Sequence, residues 1–401
     1  MKLLHTADWH AGRTLHGVDR TPEIREVLRE IAELALTEAV DLIIVAGDVF
    51  DSKNPGAEAT SAVYEFFLKT GAAGVPSVVI AGNHDSPSRL DAISDLLKLT
   101  NVHLIGHPKV AGQGGVFDLD IRGEMARVAA LPFVSERRIV KVTELLGADP
   151  GQWLEKYQGG MRRLIANLSA EFSPDAVNLL VMHGTMNGAT LSNSEYTFHS
   201  TDSYALGADI LPAATNYVAL GHIHKPQPIQ GYPENAGRYS GSILQLDFGE
   251  QGDTKYAYIV EAQAGKPTEL LKAVPLQGGK RLKRVAADLD ALERQTHDLH
   301  AYEGYLKLVL KLDQPRPGLK DRIKRDFDNV LSVEVSLPDA EVEEEEAEAD
   351  LAQVSLLEAY SRFYQEKRSQ ALPAEVEAAF KELLEDDEPE PIAVPLTEVG
   401  T

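Results

Sequence analysis

The chain has 401 residues and no cysteine. A disulfide framework is therefore excluded, and any metal site must use histidine, aspartate, glutamate or asparagine. No apolar run approaches the roughly 18 residues that span a bilayer, and the apolar stretch at the N-terminus is too short for a signal peptide. These absences predict a protein of the reducing cytosol that has no membrane partner.

Basic residues are also in short supply, and the formal net charge of −23 by itself argues against a nucleic-acid partner. The acidic excess is concentrated at the C-terminus, where residues 339–401 contain 19 acids and 4 bases. Residues 280–325, by contrast, contain 12 bases and 7 acids. The charge of the whole chain therefore says little about any one site, and the basic segment leaves room for a DNA partner.

Strand and helix patterns alternate along residues 1–110. Short apolar runs that end in polar residues predict strands, and apolar residues at helical spacing predict helices between them. The predicted strands cover residues 3–6, 42–46 and 77–81, and the predicted helices cover residues 23–37, 57–69 and 88–97. This alternation indicates a sheet with helices outside it, in which ligands lie beyond the carboxyl ends of the strands.

The remainder of the chain is predicted to be strand-rich and then to divide into smaller parts. Further strands are expected at residues 116–121, 127–131, 177–182, 217–220 and 255–261, with a helix at residues 152–170. The Gly278-Gly279 pair suggests the end of a main domain at 1–278. After it we expect a small α/β module at 279–338, an acidic linker at 339–350, two helices at 351–385 and a disordered acidic tail at 386–401.

Side chains that can bind a metal follow five of the predicted strands. The segments are Asp8-Trp9-His10, Gly47-Asp48-Val49-Phe50-Asp51, Gly82-Asn83-His84-Asp85, Met182-His183-Gly184 and Gly221-His222-Ile223-His224. One such segment would mean little, because a lone histidine or Gly-Asp turn at a strand end is usually structural. Together they supply enough oxygen and imidazole donors for two divalent ions that share a carboxylate, which is a recurring device for hydrolysing phosphate esters.

The positions within these segments indicate what each side chain can do. The strand period of two puts Asp8 and His10 on the same side of the chain. Asp48 follows a buried run, and its carboxylate can bridge two ions with one oxygen to each. Asn83 offers a neutral carbonyl oxygen to the second ion.

Two further residues of the segments are assigned to catalysis rather than to metal binding. His84 cannot easily bind the same ion as its neighbour Asn83, but it can face the substrate. Asp51 can orient His84 by accepting a proton from one ring nitrogen. The alternative for Asp51 is a cap for the following helix.

The order Asp-x-His, Gly-Asp-x-x-Asp, Gly-Asn-His-Asp, His and Gly-His-x-His resembles the calcineurin-like metallophosphoesterase superfamily. The longer strings at residues 5–10, 46–51, 221–226 and 239–242 are more selective, and they resemble SbcD-type nuclease subunits of bacteria. The resemblance implies an α/β fold: a four-layer metallophosphoesterase β-sandwich flanked by helices, with a small α/β capping domain and C-terminal helices. The motif match covers about residues 1–250.

The resemblance also implies a ligand set for two ions. One ion would be bound by Asp8, His10, Asp48 and His224, and the other by Asp48, Asn83, His183 and His222. The mixed oxygen and nitrogen donors do not select a metal, but the usual metal of the family is Mn²⁺ rather than Mg²⁺. His84, with Asp51 beside it, would contact the scissile phosphate or protonate the leaving oxygen.

The partners implied by the resemblance are DNA and other protein chains. The DNA would be duplex ends, hairpins and single strands, which are cut by exonuclease and endonuclease action in repair and recombination. An SbcC-type coiled-coil ATPase would bind the helices at 351–385. The chain would form a homodimer through helices within residues 57–97, inside a heterotetramer in the bacterial cytoplasm at the nucleoid.

Six side chains are candidates for contacts to the DNA backbone. They are Arg13, His16, Lys280, Arg281, Lys283 and Arg284. The first two lie just past the first ligand pair, where a phosphate is within reach, and a surface salt bridge is the alternative for Arg13. The other four begin the basic module, where a solvated strand edge is the alternative.

Two other functions use the same scaffold. A metallophosphatase that acts on small phosphoesters or phosphoproteins would need neither the basic module nor the appended helices. A non-catalytic scaffold that places an ATPase on DNA would not need a complete ligand set that includes His84. We therefore expect a metal-dependent DNA nuclease.

Overall fold

The computed structural model describes residues 1–135, 150–192, 205–314 and 316–336, and a few isolated positions between residues 360 and 377. These residues divide into two compact units. The larger contains the described part of Met1–Lys283 together with Glu303–Tyr305, and the smaller contains Arg284–Tyr302 and the described part of Leu306–Pro391. The predicted linker, the predicted tail and nearly all of the two predicted C-terminal helices lie outside the described residues.

The larger unit is built from strands and helices that alternate at first and then become strand-rich. Its strands are β1 (Lys2–Thr6), β2 (Thr14–Leu15), β3 (Val18–Asp19), β4 (Leu42–Val45), β5 (Ser77–Ile80), β6 (Val102–Ile105), β7 (Val116–Ile121), β8 (Glu124–Leu131), β9 (Val177–His183), β10 (Tyr217–Gly221), β11 (Gln227–Pro228), β12 (Gly237–Tyr239), β13 (Tyr256–Glu261) and β14 (Glu269–Pro275). Its helices are α1 (Thr21–Thr37), α2 (Ala57–Ala72), α3 (Pro87–Lys98) and α4 (Pro150–Leu168).

These strands form two six-stranded sheets and a two-stranded hairpin of β2 and β3. The first sheet has the order β14-β13-β1-β4-β5-β6, and the second has the order β11-β12-β10-β9-β8-β7. The strands β1, β4, β5 and β6 are parallel to one another, as are β8, β9, β10 and β12. Each sheet therefore has one edge where the carboxyl ends of several strands lie side by side.

The two sheets pack against each other, and each carries helices on its outer face. Because strand side chains alternate between faces, Leu4 and Ile43 contact the core formed with α1, α2 and α3, whereas Leu3 and Ile44 pack between the sheets. On the far side of the second sheet, Leu164 of α4 joins a third cluster. The result is a helix–sheet–sheet–helix arrangement, and the predicted four-layer α/β fold is confirmed.

The predicted elements are found close to their expected bounds, but six strands have no counterpart among the predictions: the very short β2, β3, β11 and β12, and the longer β6 and β14. The helix expected at residues 57–69 extends to Ala72, and the helix expected at 152–170 spans Pro150–Leu168. The strand β6 escapes prediction because its apolar run is only four residues long and includes His103. The edge strand β14 escapes it because most of its side chains are exposed, so that it shows no apolar alternation.

The described part of the smaller unit, up to residue 336, contains a three-stranded sheet and three helices. Its elements are β15 (Leu282–Ala287), α5 (Leu289–Arg294), α6 (Thr296–Ala301), β16 (Tyr305–Lys311), α7 (Leu319–Asp326) and β17 (Val330–Ser336), and the sheet order is β15-β16-β17. One helix, α7, stands between β16 and β17, whereas two short ones, α5 and α6, stand between β15 and β16. The backbone of Gln295, at φ −94° and ψ 3°, leaves the helical range between them. Among the residues that the structure describes, no helix is both long and apolar enough to cross a membrane.

Candidate metal centre

All five predicted ligand segments meet at the carboxyl ends of β1, β4, β5, β9 and β10. Past the end of β1, the parallel pairing continues through main-chain bonds from Asp8 N to Gly47 O and from His10 N to Asp48 O, both 3.0 Å. The second sheet is tied to the first by the amide of His222, which donates to Asp8 Oδ1 at 2.9 Å. These hydrogen bonds fix three of the ligand segments to one another.

Two glycines permit this close approach of the loops. A Cβ on Gly47 would lie 2.2 Å from His183 Nδ1, and a Cβ on Gly82 would lie 2.1 Å from Asp48 Oδ1. Such separations are far below van der Waals contact, so neither position accepts a side chain without movement of a predicted ligand. A glycine therefore precedes the polar residue in both motifs because any larger residue would clash with a predicted ligand.

Four of the predicted ligands have a left-handed backbone, which is uncommon for residues other than glycine. The φ angle is 52° for Asp8, 46° for His10, 49° for Asp48 and 98° for His222. Conformations of this kind cost free energy, on the order of 1–3 kcal/mol each, and they cluster at functional sites. The loops therefore keep strained backbone conformations that position the ligand side chains.

The Asp48 carboxylate lies between two histidines that come from different sheets. Its Oδ2 is 3.5 Å from His10 Nε2 and 3.6 Å from His183 Nε2. Its Oδ1 accepts a hydrogen bond of 2.9 Å from the amide of His84. Oδ2 thus faces both imidazoles and Oδ1 faces a main-chain N–H group, and the expectation of one oxygen for each ion stays a prediction.

The imidazoles of His10 and His224 face each other with their Nε2 atoms 3.2 Å apart. His10 Nδ1 is 3.1 Å from Asp51 Oδ1, and His224 Nδ1 is 3.2 Å from Glu250 Oε1. Each carboxylate accepts a hydrogen bond from the Nδ1–H group, so the neutral form of each ring has a lone pair on Nε2. Two facing lone pairs repel unless a cation or a proton lies beside them, and this arrangement fits a metal ion.

A second group of donors surrounds Asn83. Its Oδ1 atom is 3.0 Å from His183 Nε2 and 2.9 Å from His222 Nδ1. The ring of His183 is fixed by a bond of 2.8 Å between its Nδ1 and the carbonyl of Ala46. Phe133 packs against both histidines, with its ring centroid 6.2 Å from that of His183 and 6.1 Å from that of His222. These donors are the ones that the family resemblance assigns to the second ion.

Proximity groups the side chains in three overlapping sets whose ligand atoms lie within 4.8 Å of one another. The sets are Asp8, His10 and His224; His10, Asp48 and His84; and Asp8, Asp48 and His183. The first set agrees with the ligands expected for one ion. Asp8, His10 and Asp48 each appear in two of the three sets, so the sharing of Asp48 between two ions stays a prediction.

The buried charges of the cluster are not balanced by their own counterions. Burial raises the pKa of Asp8 to about 7, although His183 and His224 oppose the rise. Burial alone would lower the pKa of His183, but the Asp48 carboxylate raises it to about 9. The raised pKa values mean that Asp8 and His183 both hold a proton more strongly than usual. In the absence of another cation, these protons supply the positive charge that the buried carboxylates require. Divalent cations fit this donor set.

His84 and Asp51 contact each other, but not through the Asp51 carboxylate. His84 Nδ1 lies 3.1 Å from the main-chain oxygen of Asp51. The carboxylate instead contacts His10 Nδ1 at 3.1 Å and Arg13 Nη1 at 3.3 Å. Burial alone would raise the pKa of Asp51, but His10 and Arg13 lower it. Asp51 therefore orients His84 by its carbonyl and His10 by its side chain.

Sequence reasoning missed two buried acids of the site. Asp85, at 1% exposure, accepts hydrogen bonds from the amides of Gly82, Val49 and Phe50, so it holds the loops after β4 and β5 together. Asp85 could have been identified from the sequence, because it is the last residue of the Gly-Asn-His-Asp motif. Glu250 lies behind His224 but could not have been identified in this way, because it is 26 residues further along the chain and outside every motif.

The six candidate DNA contacts have different surroundings. Arg13 contacts Asp51 of the cluster, whereas His16 lies on the exposed turn between β2 and β3 with its ring 5.8 Å from that of Phe248. Lys280 lies over the ring of Tyr305 at 4.8 Å.

The remaining three candidates lie in or next to β15. Arg281 donates to the carbonyl of Leu276 at 3.1 Å. Lys283 and Arg284 are exposed. Of these contacts among the described residues, the ion pair of Arg13 with Asp51 is the one that reaches the metal-binding cluster.

Two family models match the chain. The model for calcineurin-like phosphoesterases matches residues 1–226 and thus includes every predicted ligand. A model described as the type 5 capsule protein repressor C-terminal domain, SbcD_C, matches residues 279–368.

Two relatives match most of the chain. The SbcD subunit of the nuclease SbcCD from Bacillus subtilis (strain 168) is 32% identical over 378 residues, which are 94% of this chain and 95% of that protein. The protein of the same name from Rhodobacter capsulatus is 33% identical over 340 residues, which are 79% of this chain and 81% of that protein. A solved structure, a dimetal phosphatase from Danio rerio, covers 69% of this chain and 99% of its own at 11% identity, but its TM-score of 0.36 is too low to support a conclusion.

Proposed function

The chain belongs to the calcineurin-like phosphoesterase family and, within it, to the SbcD nuclease subunits, and on this premise we propose that it hydrolyses DNA phosphodiesters with two Mn²⁺ ions. The family makes it a metal-dependent nuclease subunit. One observation carries the proposal furthest: donors that lie more than two hundred residues apart converge around the Asp48 carboxylate, with imidazole lone pairs turned inwards.

Seven side chains would hold the ions, in the two groups that meet at Asp48. They are Asp8, His10, Asp48, Asn83, His183, His222 and His224. When bound, two divalent ions activate a water molecule near neutral pH and neutralise the phosphodiester that would otherwise repel an anionic nucleophile. The protein supplies the placement, because its main-chain bonds hold the ligand loops in position.

His84 is the residue that we assign to the leaving group. Its Nδ1 is held by the carbonyl of Asp51, so Nε2 is the ring atom that can reach the substrate. A proton on Nε2 can pass to the 3′-oxygen as the P–O bond breaks, which avoids an unstabilised alkoxide. Asp51 is then a positioning residue whose main chain fixes the direction of the imidazole.

The direct test is a comparison of substrates. End-labelled duplexes, hairpins and single strands should be cut by the full chain with Mn²⁺, and less well or not at all with Mg²⁺. A phosphomonoester such as p-nitrophenyl phosphate should be turned over far more slowly. Faster turnover of the monoester than of every DNA substrate would instead support the metallophosphatase alternative.

The DNA path is proposed to begin at Arg13, which contacts Asp51 of the cluster, and to continue over His16 on the turn between β2 and β3. The four basic residues at 280–284 would add sequence-independent phosphate contacts. Replacing each cation by glutamine should weaken DNA binding and reduce its salt dependence, without a change in the metal content. A DNA substrate of this kind places the chain at the bacterial nucleoid, in the cytoplasm.

A homodimer is proposed on the surface of α2 and α3. Three leucines on or next to these helices are exposed: Leu68 at 58%, Leu96 at 67% and Leu99 at 81%. A patch of large apolar side chains is more stable when another surface covers it. Light scattering should give twice the mass of one chain, and Leu68→Glu should reduce it to the mass of one.

An SbcC-type coiled-coil ATPase is the proposed partner of residues 351–385. The names of the two relatives support this, since each is a subunit of an SbcCD nuclease. A family model continues to residue 368, into the proposed binding segment. A chain that ends at residue 350 should keep its metal content but fail to co-purify with the ATPase.

A further inference from the structure

A buried ion pair lies directly behind His224. Glu250 Oε2 is 2.6 Å from Lys255 Nζ, and the two side chains are 0% and 1% exposed. Desolvation of two charges costs several kcal/mol per ion, and their attraction offsets this only when the geometry is good and the remaining polar atoms are satisfied. A pair as completely buried as this one is therefore seldom retained without a further role.

The pair holds both the ring and the main chain of His224. Glu250 Oε1 lies 3.2 Å from His224 Nδ1, and Lys255 Nζ donates to the His224 carbonyl at 2.9 Å. The second carboxylate oxygen also accepts from the amide of Leu246 and from the hydroxyl of Ser242, at 3.2 Å and 3.3 Å. Neither charged side chain has room to turn away from the histidine.

This arrangement determines which nitrogen of His224 faces the cluster. A carboxylate cannot donate a proton, so His224 Nδ1 must carry the hydrogen and Nε2 must carry the lone pair. That Nε2 atom lies 3.2 Å from His10 Nε2. His10 is oriented in the same way by Asp51, at 3.1 Å from Nδ1.

The other ion position is supported differently. His183 Nδ1 contacts the neutral carbonyl of Ala46 at 2.8 Å, and Asn83 offers a neutral amide. Carboxylates behind histidine ligands raise their basicity and fix their tautomer. The position between His10 and His224 is therefore the more electron-rich of the two.

We propose that Glu250 and Lys255 are positioning residues for the ion held by Asp8, His10 and His224, and that they make this ion the tighter bound of the two. The inference rests on the proposed two-metal function and concerns its outer support. Lys255 holds the Glu250 carboxylate in place and anchors the loop through the His224 carbonyl, and Glu250 fixes the His224 ring. Neither residue touches the substrate.

The test is stepwise Mn²⁺ binding by the full chain, measured by calorimetry and by metal content after dialysis. The double variant Glu250→Met/Lys255→Met removes both charges at once, so no lone charge is left in the core. We expect one Mn²⁺ to bind about 10- to 100-fold more weakly than in the wild type. The other should change by less than about threefold.

A matched control separates this effect from the loss of any buried ion pair. Arg20 is fully buried and contacts Glu23 at 2.7 Å, and its guanidinium also donates to the carbonyls of Gln245 and Lys280, which are not predicted metal ligands. The variant Arg20→Met/Glu23→Met should therefore lose stability without a change in either Mn²⁺ affinity. Equal weakening of metal binding in both double variants would overturn the proposal.

Two further outcomes are decisive. If the folded Glu250→Met/Lys255→Met chain binds both ions as the wild type does, the inference is wrong but the proposed function stands. If the wild type binds fewer than two ions, both the inference and the proposed function are wrong. Should that double variant fail to fold, Glu250→Gln is examined without metal by long-range ¹H–¹⁵N spectra. The population of the Nε2–H tautomer of His224 should rise, and an unchanged tautomer would refute the proposal.

Discussion

The Nε2 atoms of His10 and His224 lie 3.2 Å apart, although the two residues are separated by 214 positions in the chain. In each ring, a carboxylate accepts a hydrogen bond from Nδ1–H, so the Nε2 atom that faces the other ring carries no hydrogen in the neutral form. Such an arrangement has no value to an apo-protein, since facing lone pairs repel. It is explained by a cation, and it makes the affinity for metal ions the first property to measure.

Asp48→Ala should abolish the binding of both ions, because its carboxylate lies between His10 and His183. Asn83→Ala should weaken only the second ion, whose other proposed donors are Asp48, His183 and His222. The loss in each case should exceed the 10- to 100-fold typical of outer-shell partners. Metal analysis after dialysis checks this, and retention of one full equivalent by Asp48→Ala would contradict a shared carboxylate.

His84→Ala should separate chemistry from metal binding. The two ions should remain, while kcat for DNA cleavage falls by about 10²- to 10⁴-fold, as is usual when a general acid is removed. Cleavage rates and metal content are measured on the same preparation. If the metal content falls in step with the rate, His84 is a ligand and its assignment to the leaving group is wrong.

The positions of the metal ligands could be predicted because short strings of residues carry them. Asp8 and His10, for example, are placed by the strand period and by the end of β1, both of which are local properties. The contact made by Asp51 could not be predicted in the same way. Its carbonyl and its carboxylate both lie near histidines, and only the path of the loop decides which of them meets His84.

Glu250, Lys255 and the strand β14 show where local patterns fail. Glu250 and Lys255 reach His224 through the folding of a long loop, and nothing in their own neighbourhood in the sequence marks them. Strand β14 pairs with β13 through main-chain bonds while most of its side chains remain exposed. Interactions of these kinds depend on tertiary structure, so they become visible only in the folded chain.

Gly82→Ala should disturb the metal centre through a steric clash with Asp48. The new Cβ would lie 2.1 Å from Asp48 Oδ1 and 2.3 Å from the Asp48 amide nitrogen, so the loop must move. We expect a stability loss of about 1–3 kcal/mol and weaker binding of both ions. Chemical denaturation and metal titration provide the measurements.

The control for this substitution is Gly184→Ala, which also lies next to a ligand. No atom stands within 4 Å of a Cβ built there. Its stability should change by less than about 1 kcal/mol, and its metal affinity should not change. An equal effect of the two substitutions would show that backbone flexibility, rather than the contact with Asp48, matters at these glycines.

The last prediction concerns acid stability and a histidine outside the metal cluster. His5 is fully buried between the sheets, where its Nδ1 contacts the hydroxyl of Tyr217 at 3.0 Å. Burial, with the nearby Arg238, lowers the pKa of His5 from 6.5 to about 3. Between these values the unfolded chain takes up a proton that the folded chain refuses, so the free energy of unfolding falls as the pH drops below about 6.5. The full contribution is present above that pH, and at pH 5 about 2 kcal/mol of it is lost.

The variant His5→Phe/Tyr217→Phe removes both partners of this hydrogen bond and keeps their volume. Urea unfolding of the metal-free wild type and variant at pH 7.5 and pH 5 measures the effect, because all other titrating groups are common to the two chains. The variant should lose about 2 kcal/mol less between these pH values. Identical losses would mean that His5 is protonated in the folded state, and that the acid sensitivity of the fold arises in the metal cluster instead.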